Sequence, residues 1–289
     1  MALNKIQSSE WDKTSSEYSK TPIQGPLIYP CNRMLAKMDA VSSFSSATAI
    51  LDVGCGPGTV ETLLINGYGN KISPSARLIA SDYSKGMVDA TRIRKEDTIA
   101  AGQDVGNCWA RLETQVMNAQ DLSDVQSNSL SHVIGSLVYF MIPDPRKGLL
   151  EAHRVLKEGG VFACTSWTMT IEWTTFVILA AKRAKPDLDF DFTKGIMLEQ
   201  WTNTEGVKGE LEAAGFHSVH SEYVEFDWKL EDPVKHANNM VRSANPGLQP
   251  ALKQLSEVEL DRCCEEYIKI VEEHGNVCKG VAVLGVGRK

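Results

Sequence analysis

A chain of 289 residues with 43% hydrophobic side chains has apolar surface enough for one large domain, or for a domain with a substantial cap. Its formal net charge of −7 gives no broad basic footprint, which argues against nucleic acid or an anionic membrane as partner. The seven cysteines, Cys31, Cys55, Cys108, Cys164, Cys263, Cys264 and Cys278, show no CxxC pair or zinc-like spacing, so they read as reduced thiols in a cytoplasmic protein without a metal.

In chain order, Met1 to Lys20 is polar and lacks the apolar core of a secretory signal. Ala49 to Val53 is a short apolar run ending in glycines, after which Val60, Leu63 and Leu64 recur at helical spacing: strand, loop, helix. Arg77 to Ala80 reads as a second strand, and Ser84 is placed to cap a helix carrying Met87, Ala90 and Ile93 on one side. Ser131 to Leu137 reads as a buried strand, and Asp144-Pro145 as the N-cap and first-turn proline of a helix running to Lys157. Gly159 and Gly160 end that helix, and Val161 to Thr165 is the next strand. This alternation predicts an α/β, doubly wound and mostly parallel sheet, with ligands gathered at the carboxyl ends of its strands.

The final third departs from the repeat. Trp173 to Lys185 is apolar and helical, and its stretch Phe176 to Ala181, the longest apolar run, is too short to span a bilayer. Thr204 to Ala214 is a helix stopped by Gly215, and Val219 to Trp228 alternates like a strand. Two more helices precede a last strand at Val281 to Val286. The second opens with Ser256 and Glu259 as a capping box, with Leu255 and Leu260 placed as a hydrophobic staple. The excess helices read as a lid over the strand ends.

The strongest chemical signal is Asp52-Val53-Gly54-Cys55-Gly56-Pro57-Gly58, between an apolar strand and a helix. Glycines here let a ligand approach the backbone. The carboxylate of Asp52 would repel a phosphate but favours a cationic amine, and S-adenosylmethionine presents an ammonium and a sulfonium with no phosphate. Asp82 ends the second strand, where a carboxylate can accept both hydroxyls of a ribose; an acid at a helix start favoured by the dipole is the other reading. Met87, one turn into the next helix, packs on adenine or on the sheet.

LDVGCGPG from Leu51, SDYSKGM from Ser81 to Met87, MNAQDL from Met117 to Leu122 and HRVLKEGGVF from His153 to Phe162 resemble, in that order, class I S-adenosylmethionine-dependent methyltransferases, especially those of ubiquinone and menaquinone biosynthesis. The resemblance implies a Rossmann-like seven-stranded sheet and S-adenosylmethionine as cofactor, leaving S-adenosylhomocysteine. It implies cofactor contacts at Asp52, Gly54, Cys55, Gly56, Gly58, Asp82, Tyr83 and Met87. It further places Asn118 and Ala119 at the adenine, and Ser136 and Leu137 beside the methionine portion. Many relatives have aspartate where Asn118 stands; an asparagine carbonyl can still accept from the adenine amino group. A looser resemblance, spanning nearly the whole chain, is to fungal small-molecule methyltransferases such as the enzyme that methylates gliotoxin thiols. It rests on Ser166-Trp167, the apolar helix from Trp173 and the order of helices after Phe226.

The implied layout is a single methyltransferase domain over 1–289. Residues 1–45 would be an N-terminal helical segment closing over the cofactor, 46–166 the cofactor-binding core, and 167–289 the lid helices and C-terminal strands. Trp11 and Tyr18 either reach the cofactor or anchor the terminal helix. Tyr139, Phe140, Trp167 and Trp173 follow strands and are candidates to line an aromatic substrate pocket. None of the six histidines falls in a ligand or triad pattern. The expected chemistry is therefore methyl transfer to a small thiol or acidic hydroxyl without a protein base. Ser136-Leu137-Val138-Tyr139 lacks the Asn/Asp-Pro-Pro-Tyr pattern of enzymes that methylate amino groups of bases and glutamine. A cyclase that keeps the fold without transferring methyl, or a non-catalytic binding module, would have the same sequence signature.

Overall fold

The computed structural model describes residues 7–19, 25–190, 197–242, 245 and 247–289, with the backbone alone at residues 14 and 16–19. Two helices, α1 (Ser8–Ser19) and α2 (Ile28–Val41), precede the first strand. Alternating elements follow: β1 (Ala49–Val53), α3 (Thr59–Tyr68), β2 (Arg77–Asp82), α4 (Lys85–Ala100), the short α5 (Cys108–Arg111), β3 (Leu112–Val116), β4 (Leu130–Ser136), α6 (Pro145–Val155) and β5 (Leu156–Ile171). The final third adds α7 (Glu172–Ala184), α8 (Thr204–Ala213), β6 (His217–Lys229), α9 (Pro233–Val241), α10 (Gln249–Leu252), α11 (Glu257–Glu273) and β7 (Val277–Arg288).

Seven strands form one sheet in the order β3-β2-β1-β4-β5-β7-β6. β1 to β5 pair in parallel, and β7 enters antiparallel between β5 and β6. Strand order reverses between β1 and β4, so the crevice where such sheets bind ligands opens beyond Val53 and Ser136.

Period-two alternation along β1 splits its side chains between two cores. Leu51 and Val53 join Val133, Phe162, Leu149 and Leu211 on the face covered by α6 and α8. Ile50 joins Leu64, Ile65 and Ile134 on the face covered by α2 and α3. Met34, Leu35 and Met38 of α2 are wholly buried there. At ~1.5–3 kcal/mol for each such side chain, α2 is a structural layer of the sheet. Within residues 1–45 it is therefore α1 that remains at the rim of the crevice.

A third apolar cluster joins α7, α9, α10 and α11 around Ile171, Phe226, Leu230 and Cys278. These four residues belong to the far reach of β5, the end of β6 and the turn and strand that flank them, on the side of the crevice. These helices thus stand on an extension of the sheet itself.

Helix starts follow the capping chemistry of the sequence. Ser84 accepts from the Met87 N–H, Asp144 from the Lys147 N–H ahead of Pro145, and Ser256 and Glu259 form the reciprocal capping box. Gly215, at φ 97°, follows the end of α8. The expected end of α6 is shifted: the helix stops at Val155 and β5 begins at once, with Gly159 at φ 73° inside the strand where its register to β4 slips. All seven cysteines are free and buried. Among the described residues no helix is long and apolar enough to cross a membrane.

Candidate cofactor and acceptor site

The turn between β1 and α3 is pinned from β2. The N–H groups of Gly54 and Cys55 both donate to the Ser81 carbonyl, at 2.7 and 2.8 Å, and the Ser81 hydroxyl donates to the Asp52 carbonyl at 3.0 Å. Gly54 stands at φ 73°, and a Cβ there would lie 2.4 Å from a methyl of Val138, so both backbone angle and space demand glycine. Gly56, at φ 54°, is different: a Cβ on it would meet nothing within 4 Å. That open ground beside the backbone forms a cradle just beyond the carboxyl end of β1.

Asp82 ties the cradle to the next strand. One carboxylate oxygen accepts from the Gly56 N–H at 3.1 Å and the other from the Ser84 N–H at 2.9 Å. Each oxygen keeps a further lone pair, so ribose hydroxyls would add to these bonds without replacing them. Burial pushes the Asp82 carboxyl up to about 6, against the pull of those backbone donors. Met87 is buried on α4. Asn118 is exposed just past β3, its side-chain oxygen accepting from the Gln120 N–H at 3.0 Å, and Ala119 is buried beside it.

At the end of β4, Ser136 Oγ lies 2.9 Å from Thr165 Oγ1 and 3.2 Å from Cys31 Sγ. Burial pushes the Cys31 thiol up to about 12, so it is neutral. Leu137 holds φ 58°, an unusual angle for a branched side chain, fixed by its N–H donating to both the carbonyl and the hydroxyl of Thr165. Such enforced backbone is characteristic of ligand sites.

Asp52 does not look into the crevice. It is 4% exposed and faces Glu61 on α3, beneath the glycine loop. Glu61 carries no sequence signal that sets it apart from an ordinary acid in the first turn of a helix, and it is the residue that reading by motif misses.

At the rim, α1 clasps the start of α4. Asp12 accepts from the Gly86 N–H at 2.9 Å and from the Ser84 hydroxyl at 2.7 Å, and these donors hold its carboxyl below the usual range. The Trp11 indole donates to the Tyr83 hydroxyl. Gly86 makes room for the contact, since a Cβ there would come within 2.7 Å of Ser15. The Tyr18 side chain lies outside the described residues.

The four aromatics expected at the acceptor pocket divide. Tyr139 and Phe140 belong to the packed core, where Tyr139 lies against Phe162 and Trp201 and fills the space left by Gly135. The chain turns back just after β4 and carries the ring under the sheet. Trp173 is buried too, in the third cluster, and half-buried Trp167 meets it there with ring centroids 5.3 Å apart, Phe226 beside both and Tyr29 stacked on Phe226 at 4.6 Å.

Residues 51–164 match the family model described as a methyltransferase domain. The chain is 27% identical to methyltransferase ucsB of Acremonium sp over 97% of this chain and 95% of that protein. It is also 27% identical to methyltransferase tpcH of Aspergillus fumigatus over 89% of this chain and 90% of that one. In fold it is similar to a chain from a complex between the Haloferax volcanii Trm112 methyltransferase activator and a methyltransferase, with TM-score 0.52, 18% identity and 96% of each chain covered. With the antiparallel β7 in a 3-2-1-4-5-7-6 sheet and a glycine cradle at its switch point, these likenesses make the chain an S-adenosylmethionine-dependent methyltransferase of the class I, Rossmann-like kind.

Proposed function

We propose that the chain methylates a small, largely apolar acceptor carrying a thiol or an acidic hydroxyl, a secondary metabolite of the fungal kind, without a dedicated protein base. The carrying observation is the aromatic group of Trp167, Trp173, Phe226 and Tyr29. Trp167 is only two residues along β5 from Thr165, whose hydroxyl meets Ser136 at the methionine end of the crevice. An apolar acceptor lying on these rings would be dried by α7 and the helices α9 to α11. The near full-length likeness to fungal methyltransferases favours the same class.

Asp82 would hold the ribose, Gly56 would leave room for the adenosyl group, and Asn118 with Ala119 would receive the adenine. The bound cofactor supplies a methyl carbon already activated by its sulfonium, so the residues need only align the acceptor and exclude water. Each of the six histidines is engaged elsewhere. His132 bonds the Ser42 carbonyl, His153 packs edge-on to Phe216, His217 and His220 bond Ser218 and Glu222, His236 bonds Tyr267, and His274 the Ile270 carbonyl. An acceptor that ionises near neutral pH fits such a site.

Incubation with labelled S-adenosylmethionine and a panel of thiols, phenols and amines tests this reading. Transfer to thiols or phenols, rising with pH through the acceptor's own pKa and surviving individual His→Ala changes, is the expected result. A histidine variant that ends turnover while cofactor still binds would overturn the base-free mechanism, and methylation of intact RNA or folded protein would overturn the small-molecule acceptor.

A further inference from the structure

Glu61 stands in the first turn of α3, where an acidic side chain ordinarily turns to solvent and complements the helix dipole. Here it is 3% exposed, and Asp52 is 4% exposed. The two carboxyl groups face each other and share the lining of a cavity of about 10 Å³ whose other walls are aliphatic. Among the described residues no other side chain or backbone donor satisfies their four oxygens; the carboxyls are within hydrogen-bonding reach of each other, and the N–H of Glu61 pulls its own carboxyl down.

With no positive charge seated beside them, two bare carboxylates cannot both stay ionised in such a place, because burial without a donor and mutual repulsion both oppose it. A cavity of this size takes at most one water, and aliphatic walls offer a metal ion no further oxygen ligands. The missing donor is a proton. Burial, as the first cause, pushes the Glu61 carboxyl up to about 7 and the Asp52 carboxyl well above the ordinary carboxylate range. The pair titrates as a unit, its protons belonging to the pair and not to either residue.

The charged groups facing the pair are few. Asp82 on β2 raises both carboxyls, while Arg94 on α4 lowers Glu61. Cys31 on α2 and Cys55 in the glycine loop are buried thiols held neutral, and both feel the charge of Asp52 and Glu61. A charge seated against the glycine loop is therefore within electrostatic reach of the pair, as the Cys55 thiol is.

We infer that Asp52 and Glu61 hold one proton between them when the cradle is empty and release it to solvent when the cationic methyl donor is seated at Gly54 to Gly58. Glu61 is then a positioning residue that acts through Asp52. The inference rests on the cofactor reading of that loop. S-Adenosylhomocysteine lacks the sulfonium charge, so its binding expels less of the proton and the pair takes it back as the methyl group leaves.

Calorimetric titration of the full chain near pH 7, in phosphate and in Tris, counts the protons exchanged, because the two buffers differ in ionisation enthalpy. Wild type should release up to about one proton with S-adenosylmethionine and fewer with S-adenosylhomocysteine. Its affinity for the donor should rise with pH by up to about tenfold per unit until the pair is ionised, and then level. Glu61→Gln keeps the volume, removes the repelling charge and donates an amide N–H that holds Asp52 ionised, so it should bind the donor with near-zero release and a flat pH profile. In wild type, infrared difference spectra should show the C=O stretch of a protonated carboxyl disappearing on donor binding, a readout that does not depend on the variant folding. Binding by wild type without proton release, or equal release by wild type and Glu61→Gln, overturns the coupling and leaves the cofactor reading standing. Failure of wild type to bind either adenosyl compound overturns both.

Discussion

The N–H of Gly56 donates to Asp82 across 3.1 Å, so the loop after β1 and the end of β2 are one unit before any ligand arrives. Replacing Asp82 by alanine removes that anchor together with the proposed acceptor for ribose. Loss of a bond to a charged acceptor is worth about 1.5–3 kcal/mol, or roughly ten- to a hundredfold in Kd. Calorimetry with S-adenosylhomocysteine should show a loss at least this large, and unchanged affinity would remove Asp82 from the site.

Deleting residues 1–20 removes α1 and with it the Asp12 contacts to Gly86 and Ser84. Those contacts are at the surface, whereas the core of α2 is left intact. Cofactor affinity should therefore fall more than thermal stability does. A truncated protein that binds normally would make α1 an ornament of α4 and nothing else.

Tyr139→Phe and Trp167→Phe should behave oppositely. The Tyr139 hydroxyl is buried without a hydrogen-bond partner among the described residues, a situation that costs ~1–3 kcal/mol, so its removal should leave Tm equal or raise it, with KM for the acceptor unchanged. Trp167 is half-buried beside α7 in the proposed acceptor site, and trimming it should raise KM with little change in Tm. An effect of Tyr139→Phe on KM would return that ring to the pocket.

Stability against pH should carry the mark of Glu61. A carboxyl raised in the folded protein stabilises the fold below its unfolded value of 4.5 and loses that contribution as pH rises through about 7. His236, lowered to about 4 by burial, acts in the other direction, adding stability as pH climbs toward its unfolded value of 6.5 and nothing beyond it. The two offset each other in the acid range, where Asp82, raised to about 6, adds to the loss, and above it the loss from the coupled Glu61 and Asp52 carboxyls remains. The Tm of cofactor-free Glu61→Gln should therefore gain on wild type as pH is taken from about 6 to 8, and parallel curves would rule out the buried proton.

How much of this was legible in the sequence depends on what each residue is surrounded by. β1, β2 and β4 announce themselves because both faces are covered and each is buried nearly throughout, with a short apolar run such as Leu78 to Ala80 or Val133-Ile134 at its centre. β3 does not, because as an edge strand it buries only Leu112 among five residues. The caps at Ser84, Asp144 and Ser256 are local chemistry and were readable as such. Tyr139 was not, since its direction is set by space that Gly135 and Gly148 vacate in three dimensions. Glu61 was least legible of all: nothing near it in the chain says that Asp52 faces it.

The insertion of β7 between β5 and β6 has a consequence for synthesis. Strands β1 to β5 and their helices can assemble as they emerge, but β5 then keeps an open edge and β6 has no neighbour until residues 277–288 are available. Until that moment a row of unpaired N–H and C=O groups along Val161 to Trp167 is a template for another chain. Ribosome stalling or proteolysis ahead of Val277 would thus leave a species prone to aggregation, and the late strand acts as the closing stitch of the nascent fold.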